Sequence, residues 1–155
     1  MVIRQSIGPI IDAIRARVES LTPRTYPEIT FSAPRGNLGS ANAEDWIEDQ
    51  MRATRDFVVF TSGLPNYTDS GAPCHISQEI TIAIVYRSEL ADDVRDIVIS
   101  EDVEQIRDAV TQRPEFWGGA DSVYSSSASN VATFEDMEGQ KQVFVVTIPL
   151  VVVTH

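Results

Sequence analysis

Two long apolar segments dictate that this chain folds around a β-sheet. Residues 76–87 alternate between apolar and polar positions and place Ile80, Ile82 and Ile84 on one face of a predicted strand. Residues 142–154 are β-branched and apolar on both faces, which is typical of a strand that is covered on two sides. Pro149 interrupts this second segment, and because proline cannot donate to a ladder we expect a bulge or an outer edge there.

Helical spacing marks two other parts of the chain. Apolar residues recur every three or four positions over residues 7–21, which predicts an amphipathic N-terminal helix. The same spacing returns over residues 90–112, where Ser100 either caps the second of two helices or lies within one bent helix. Shorter elements are predicted as a helix around Trp46 and as strands at residues 29–31, 57–60 and 121–133.

These elements predict an α+β fold with a mixed or antiparallel β-sheet packed against an N-terminal helix and a central helix pair. A chain of 155 residues is long enough for one domain, which we assign to residues 1–155. Residues 62–75 are rich in turn-forming side chains and are predicted to form a long exposed loop. Loops of this length inside a domain are usually functional or disordered. The sequence shows no internal repeat.

The charge balance excludes two broad classes of protein. Twelve Lys and Arg residues stand against 23 Asp and Glu residues, a formal net charge of -11. Binding to nucleic acid or to anionic lipid needs clustered basic residues, so neither a DNA-reading protein nor a polybasic membrane anchor is expected. The longest apolar run is about half as long as a membrane span requires. With one cysteine and no signal-like N-terminus, we expect synthesis in a reducing cytoplasm.

Groups suited to catalysis or metal binding are few. Cys74 and His75 are adjacent, and neighbours on an extended chain point apart, so this pair is not expected to act as nucleophile and base. Acidic helical segments that include Glu48 and Asp49 could bind magnesium or calcium, although a solvated helix face is the commoner outcome. We therefore predict no enzymatic activity, no metal and no cofactor.

Four aromatic side chains lie next to predicted loops or on a short helix, where each could contact another protein. Trp46, Phe116 and Trp117 could equally close the ends of the hydrophobic core, whereas the polar surroundings of Tyr67 favour a partner contact. The candidates for a subunit or partner interface are Trp46, Tyr67, Phe116 and Trp117.

The order of elements resembles that of the tail terminator, or tail completion, proteins of long-tailed bacteriophages. The residues that carry this resemblance are the helix at 7–21, the alternating strand at 80–86, the helical region at 90–112 and the terminal strand at 143–148. Residues 22–54 depart from the pattern, because this segment is longer here and includes the extra helix around Trp46.

The resemblance implies a structural virion protein, made in the host cytoplasm, that assembles into a six-membered ring. Such a homohexamer would cap the tail tube, contact the tail tube protein and a head completion or connector protein, and let DNA pass through its lumen without specific binding. An acidic lumen wall would repel the phosphates of passing DNA within about 8–10 Å. The candidate lumen residues are Glu44, Asp45, Asp92 and Asp93.

Two other functions remain open from the sequence. The chain could be a different neck or tube component, such as a head completion or tail tube protein, because these share the acidity and ring symmetry. Alternatively, a metal-dependent hydrolase could use the acidic helices.

Overall fold

The computed structural model describes residues 7–33, 53–61, 66–68, 75–87, 92–111, 122–125, 130–135 and 142–154. In chain order the elements are helix α1 (Ile7–Glu19), strands β1 (Phe57–Thr61), β2 (Asn66–Thr68) and β3 (His75–Arg87), helix α2 (Asp92–Thr111), and strands β4 (Ser122–Ser125), β5 (Asn130–Glu135) and β6 (Gln142–Thr154). The predicted α+β class is confirmed.

The sheet is built on the two long strands, β3 and β6. They pair antiparallel along nearly their whole length, from Ile76 opposite Thr154 to Arg87 opposite Val143. Strands β1 and β2 pair with the other side of β3, and β4 and β5 pair with the other side of β6. All five strand pairings are antiparallel. Each long strand has neighbours on both sides.

The two halves of the sheet repeat one arrangement that the sequence does not reveal. In each half, two short strands lie end to end along one side of a 13-residue strand. The second short strand then leads back into the long strand as an antiparallel hairpin, β2 into β3 and β5 into β6. The similarity is one of strand order and pairing.

The main hydrophobic core lies between this sheet and the two helices. The α1 helix contacts β1 and α2, while α2 also contacts β4 and β6. Side chains from both helices and from one sheet face are fully or nearly fully buried there, including Ile10, Ile14, Val18, Ile82, Ile84, Ile106 and Ile148. Burial of this apolar surface is the main force that holds the helices on the sheet.

The opposite face of the sheet carries a second, smaller apolar cluster. Val85 is fully buried, and Val58, Ala83, Val143 and Val145 are nearly so. The alternating pattern of β3 therefore predicted only one of its two buried faces, because Ala83 and Val85 share their face with the polar residues Glu79, Thr81 and Arg87. The prediction that β6 is apolar on both sides is confirmed.

Pro149 lies in a central strand whose register with β3 is uninterrupted, so the predictions of an outer edge and of a bulge against β3 are both wrong. It pairs with Thr81 of β3 on one side. On the other side, β4 pairs with β6 as far as Leu150, and β5 begins at Thr147. Pro149 thus occupies the interruption between the two short strands, where a missing backbone donor costs no ladder hydrogen bond.

Three other segments differ from their predicted structure or decide between alternatives. Of the two alternatives for residues 90–112, the structure has one continuous helix, α2, in place of a helix pair. The predicted strand at residues 29–31 is wrong, because these residues form no strand and the nearest bridge, between Ser32 and Asp56, is isolated. The predicted loop of residues 62–75 contains the short strand β2.

Candidate functional site

The most elaborate polar arrangement in the described residues is a buried cluster around Arg55. The Arg55 side chain is 1% exposed, as is that of its partner Asp102. Its Nε donates to Asp102 Oδ2 at 2.8 Å and its Nη2 donates to Asp102 Oδ1 at 3.1 Å. The Tyr86 hydroxyl donates to Asp102 Oδ2 at 2.7 Å. One carboxylate therefore accepts three hydrogen bonds inside the core.

The remaining Arg55 donors bind the backbone of the segment after α1. Nη1 donates to the carbonyl oxygens of Tyr26, at 2.7 Å, and Ile29, at 2.8 Å. Nη2 donates to the carbonyl oxygen of Thr25 at 2.7 Å. A guanidinium has five N–H donors, and here all five are used. The carbon of the guanidinium also lies 5.5 Å from the centroid of the Phe31 ring, a cation–π distance.

A strained turn before β1 holds Arg55 in this position. Arg55 has a φ of 71°, a left-handed conformation that non-glycine residues adopt rarely. The turn is closed by the Asp56 amide, which donates to Ala53 O at 3.0 Å, and by the Ala53 amide, which donates to Asp56 Oδ2 at 2.9 Å. The Arg55 amide donates to Val85 O at 2.7 Å, which ties the turn to β3.

The segment that receives Arg55 is also bent and anchored. Tyr26 has a φ of 53°, so the chain reverses where its carbonyl meets the guanidinium. Thr25 Oγ1 donates to Glu101 Oε2 at 2.6 Å, and Gln105 Nε2 donates to Thr22 O at 2.7 Å. Arg55 and α2 together therefore position residues 22–31, which have no regular strand or helix of their own.

Burial governs the ionisation of this cluster. It raises the pKa of the Asp102 carboxyl, while the hydrogen bonds from Arg55 and Tyr86 act in the opposite direction. Burial, with the neighbouring Asp102 carboxylate, also raises the pKa of Tyr86 well above its usual value near 10. Tyr86 therefore stays protonated as a hydrogen-bond donor at neutral pH.

The cluster is built to hold chain segments together. An arginine whose five donors are all satisfied by the protein has none left for an external anion. Asp102 is equally occupied, with three donors on its two oxygens. The hydrogen bonds of the cluster therefore connect α2, β3, the turn before β1 and residues 22–31.

Unlike the buried cluster, a groove on α2 is open to solvent. Its volume is about 420 Å³. Ile99 and Val103 of α2 and Val146 of β6 supply its apolar lining. Its polar lining consists of Ser100, Glu104, Arg107 and Asp108. We call these seven residues the α2 groove, a surface with an apolar lining, two carboxylates and one guanidinium.

The structure describes three of the eight site residues predicted from the sequence. Asp92 and Asp93 begin α2, and Asp93 is exposed. Tyr67 is in β2, with its backbone paired to Ile76 of β3. Asp92 and Asp93 are neighbours, whereas Tyr67 is on the far side of β3 from β6. The other predicted residues lie outside the described ranges, namely Glu44, Asp45, Trp46, Phe116 and Trp117.

Sequence reasoning missed all three members of the buried cluster. If Ser100 capped a second helix, Asp102 would stand in the first turn of that helix, whereas it lies within the continuous α2 and is 1% exposed. Its spacing carried a signal, because Val98, Asp102 and Ile106 follow one another at intervals of four on the apolar helix face. A carboxylate in an apolar stripe requires a buried partner. Nothing in the sequence identified that partner as Arg55.

No protein-family model matches this chain, and no curated protein matches it either. Within the described ranges, no group of three or more His, Cys, Asp and Glu side chains is arranged to hold a metal ion. No helix in that part of the chain is both long enough and apolar enough to cross a membrane.

Proposed function

We propose that this protein is a ring-forming tail terminator of a long-tailed bacteriophage, with a structural and non-catalytic role. The observation that carries the proposal is the order of elements in an acidic chain: an N-terminal helix, an antiparallel sheet with two long central strands, and one helix between them. In this proposal, six copies cap the tail tube and contact the head connector, and DNA passes through the lumen.

The distribution of charge on α2 supports this function. Its exposed residues include Asp93, Asp96, Glu104 and Asp108, whereas Asp102 is 1% exposed. An acidic helix face turned toward an axis would repel the phosphates of DNA in transit. Asp92 and Asp93, at the start of this helix, remain the described candidates for the lumen wall.

The mass of the protein in solution tests the ring. Light scattering at several concentrations is expected to give a defined multiple of 17.1 kDa, and electron microscopy of the same sample is expected to show rings with a central opening. Added tail tubes should be capped at one end. Failure to bind tubes, together with absence from purified virions, would contradict the proposed function. If the protein were a different neck component, it would be incorporated into virions but would not cap tail tubes.

A further inference from the structure

The segment after α1 presents an aromatic side chain on a strained backbone. Tyr26 has a φ of 53° and is 39% exposed. Bulky residues rarely adopt this left-handed region, because their Cβ atom crowds the following carbonyl oxygen, whereas glycine and asparagine tolerate it. An exposed side chain also contributes little to the hydrophobic core. Neither the backbone conformation nor core packing therefore accounts for a tyrosine at this position.

Residues 26–29 form a closed turn with an exposed tip. The Ile29 amide donates to Tyr26 O at 3.0 Å, which closes the turn. Pro27 and Glu28 occupy its two central positions, and both are exposed. Because proline fixes its own φ, Pro27 restricts the conformation of the turn further. We call these four residues the Tyr26 turn.

Arg55 braces the Tyr26 turn from inside the protein. Its Nη1 donates to the carbonyl oxygens of Tyr26, at 2.7 Å, and Ile29, at 2.8 Å, which are the two ends of the turn. Asp102 orients the guanidinium, and both side chains are 1% exposed. A buried ion pair adds little net stability, whereas here it fixes one conformation of an exposed turn. A side chain held in place before contact loses less conformational entropy on binding.

The shape and charge of the Tyr26 turn indicate the kind of partner that it fits. Its tip projects outward, whereas sites for small molecules are concave. The charged groups on and beside it are Glu28, Glu101 and the exposed pair of Arg24 with Glu104, which carry more negative than positive charge. These carboxylates would repel the phosphates of nucleic acids and anionic lipids. A protein surface is the remaining class, and tyrosine is enriched among the side chains that dominate protein contacts.

We propose that the Tyr26 turn is a subunit contact, in which the Tyr26 ring inserts between side chains on the surface of a second copy of this chain. The partner is a second copy because a ring requires a contact between like subunits, so the identity of the partner rests on the proposed function. In a closed ring the same contact recurs at every subunit boundary. The inference deepens the proposed function by assigning the side chain on which ring formation depends.

Opposite effects on association and on stability test the contact. Tyr26→Gly and Tyr26→Asn both suit the left-handed backbone, so their melting temperatures should equal or exceed that of the wild type. Both remove the ring and are expected to weaken self-association roughly tenfold. Tyr26→Phe keeps the ring and should associate like the wild type. Sedimentation at several concentrations measures the dissociation constants, and circular dichroism measures the melting temperatures.

Ile97→Ala is the matched control, because Ile97 of α2 is 60% exposed and is the other large apolar side chain at the surface of the described ranges. It should leave self-association unchanged. Association that is insensitive to both Tyr26→Gly and Tyr26→Asn would overturn the proposal, and so would a monomeric wild type or an equal loss of association in Ile97→Ala. Lower melting temperatures in both Tyr26→Gly and Tyr26→Asn would also overturn it, because the tyrosine would then support the fold.

The outcomes separate this contact from the proposed function. If the Tyr26→Gly variant forms rings and caps tail tubes like the wild type, the assigned contact is wrong and the terminator function stands. If self-association depends on the Tyr26 ring but the protein neither binds tubes nor occurs in virions, the contact stands and the function is wrong.

Discussion

At the scale of single residues, Arg55 joins more parts of the molecule than any other described side chain. Its guanidinium contacts α2 through Asp102 and residues 22–31 through three carbonyl oxygens. Buried ion pairs recover little net free energy, because the charges lose their hydration. Removing one partner is costly, however, because the other charge remains buried without compensation.

Arg55→Met is therefore expected to destabilise the fold by about 3–5 kcal/mol, measured by denaturant unfolding. It leaves the Asp102 carboxylate buried and releases the carbonyl groups of Thr25, Tyr26 and Ile29. Arg24→Met is the control, since the pair between Arg24 and Glu104 is exposed and should contribute below about 1 kcal/mol. Equal losses from both variants would contradict the role assigned to Arg55.

The double variant Arg55→Met/Asp102→Leu sharpens this comparison. It removes both charges together, so its loss should be smaller than the sum of the two single losses. Additive losses would mean that Arg55 and Asp102 do not act as a pair.

The raised pKa of Tyr86 predicts that the free energy of unfolding falls at alkaline pH. Its pKa is raised in the folded state, so above about pH 10 the unfolded chain loses a proton that the folded protein keeps. The stabilising contribution is complete below pH 10 and declines as the pH rises toward the folded-state pKa. Tyr86→Phe should flatten this decline between pH 9 and 11, measured as unfolding free energy at each pH. Tyr26→Phe is the matched control variant, because Tyr26 is exposed and its side chain is not part of the buried cluster.

At the scale of elements, the periodic segments were predicted well and their junctions were not. Helix α1 and strands β3 and β6 were predicted within two residues of their ends, because each carries a long run of one period. The strand predicted at residues 29–31 was wrong, because the conformation of residues 22–33 depends on Arg55 and α2, which are distant in sequence. No local pattern encodes a segment held by distant donors.

The continuity of α2 separates the two alternatives for Ser100. In a continuous helix Ser100 is an exposed interior residue, so Ser100→Ala should stabilise the protein by roughly 0.5 kcal/mol through helix propensity. If Ser100 capped a second helix, the same change would destabilise it by about 1 kcal/mol. Thermal and denaturant unfolding of the single variant distinguish these signs.

At the scale of the whole molecule, the proposed function makes the predicted loop of residues 62–75 a candidate contact with a neighbouring subunit or the tail tube. Deleting residues 65–73 should weaken assembly or tail joining, but this deletion also removes β2. Tyr67→Ala is the cleaner test, because it leaves the backbone pairing of β2 with β3 possible. We expect weaker ring formation or tube capping with an unchanged melting temperature. Normal assembly of both variants would exclude this loop from the interface.

The sequence by itself determined the fold class, the two long strands, the N-terminal helix and the acidic character of the surface. These follow from periodicity, which is a property of single segments, and from composition, which is an average over the chain. Only the tertiary structure decided that Arg55, Tyr86 and Asp102 meet, that Pro149 lies in a central strand and that the two halves of the sheet repeat one arrangement. The physical reason is that strand pairing and buried charge compensation join residues distant in sequence, and no local pattern records which distant groups will meet.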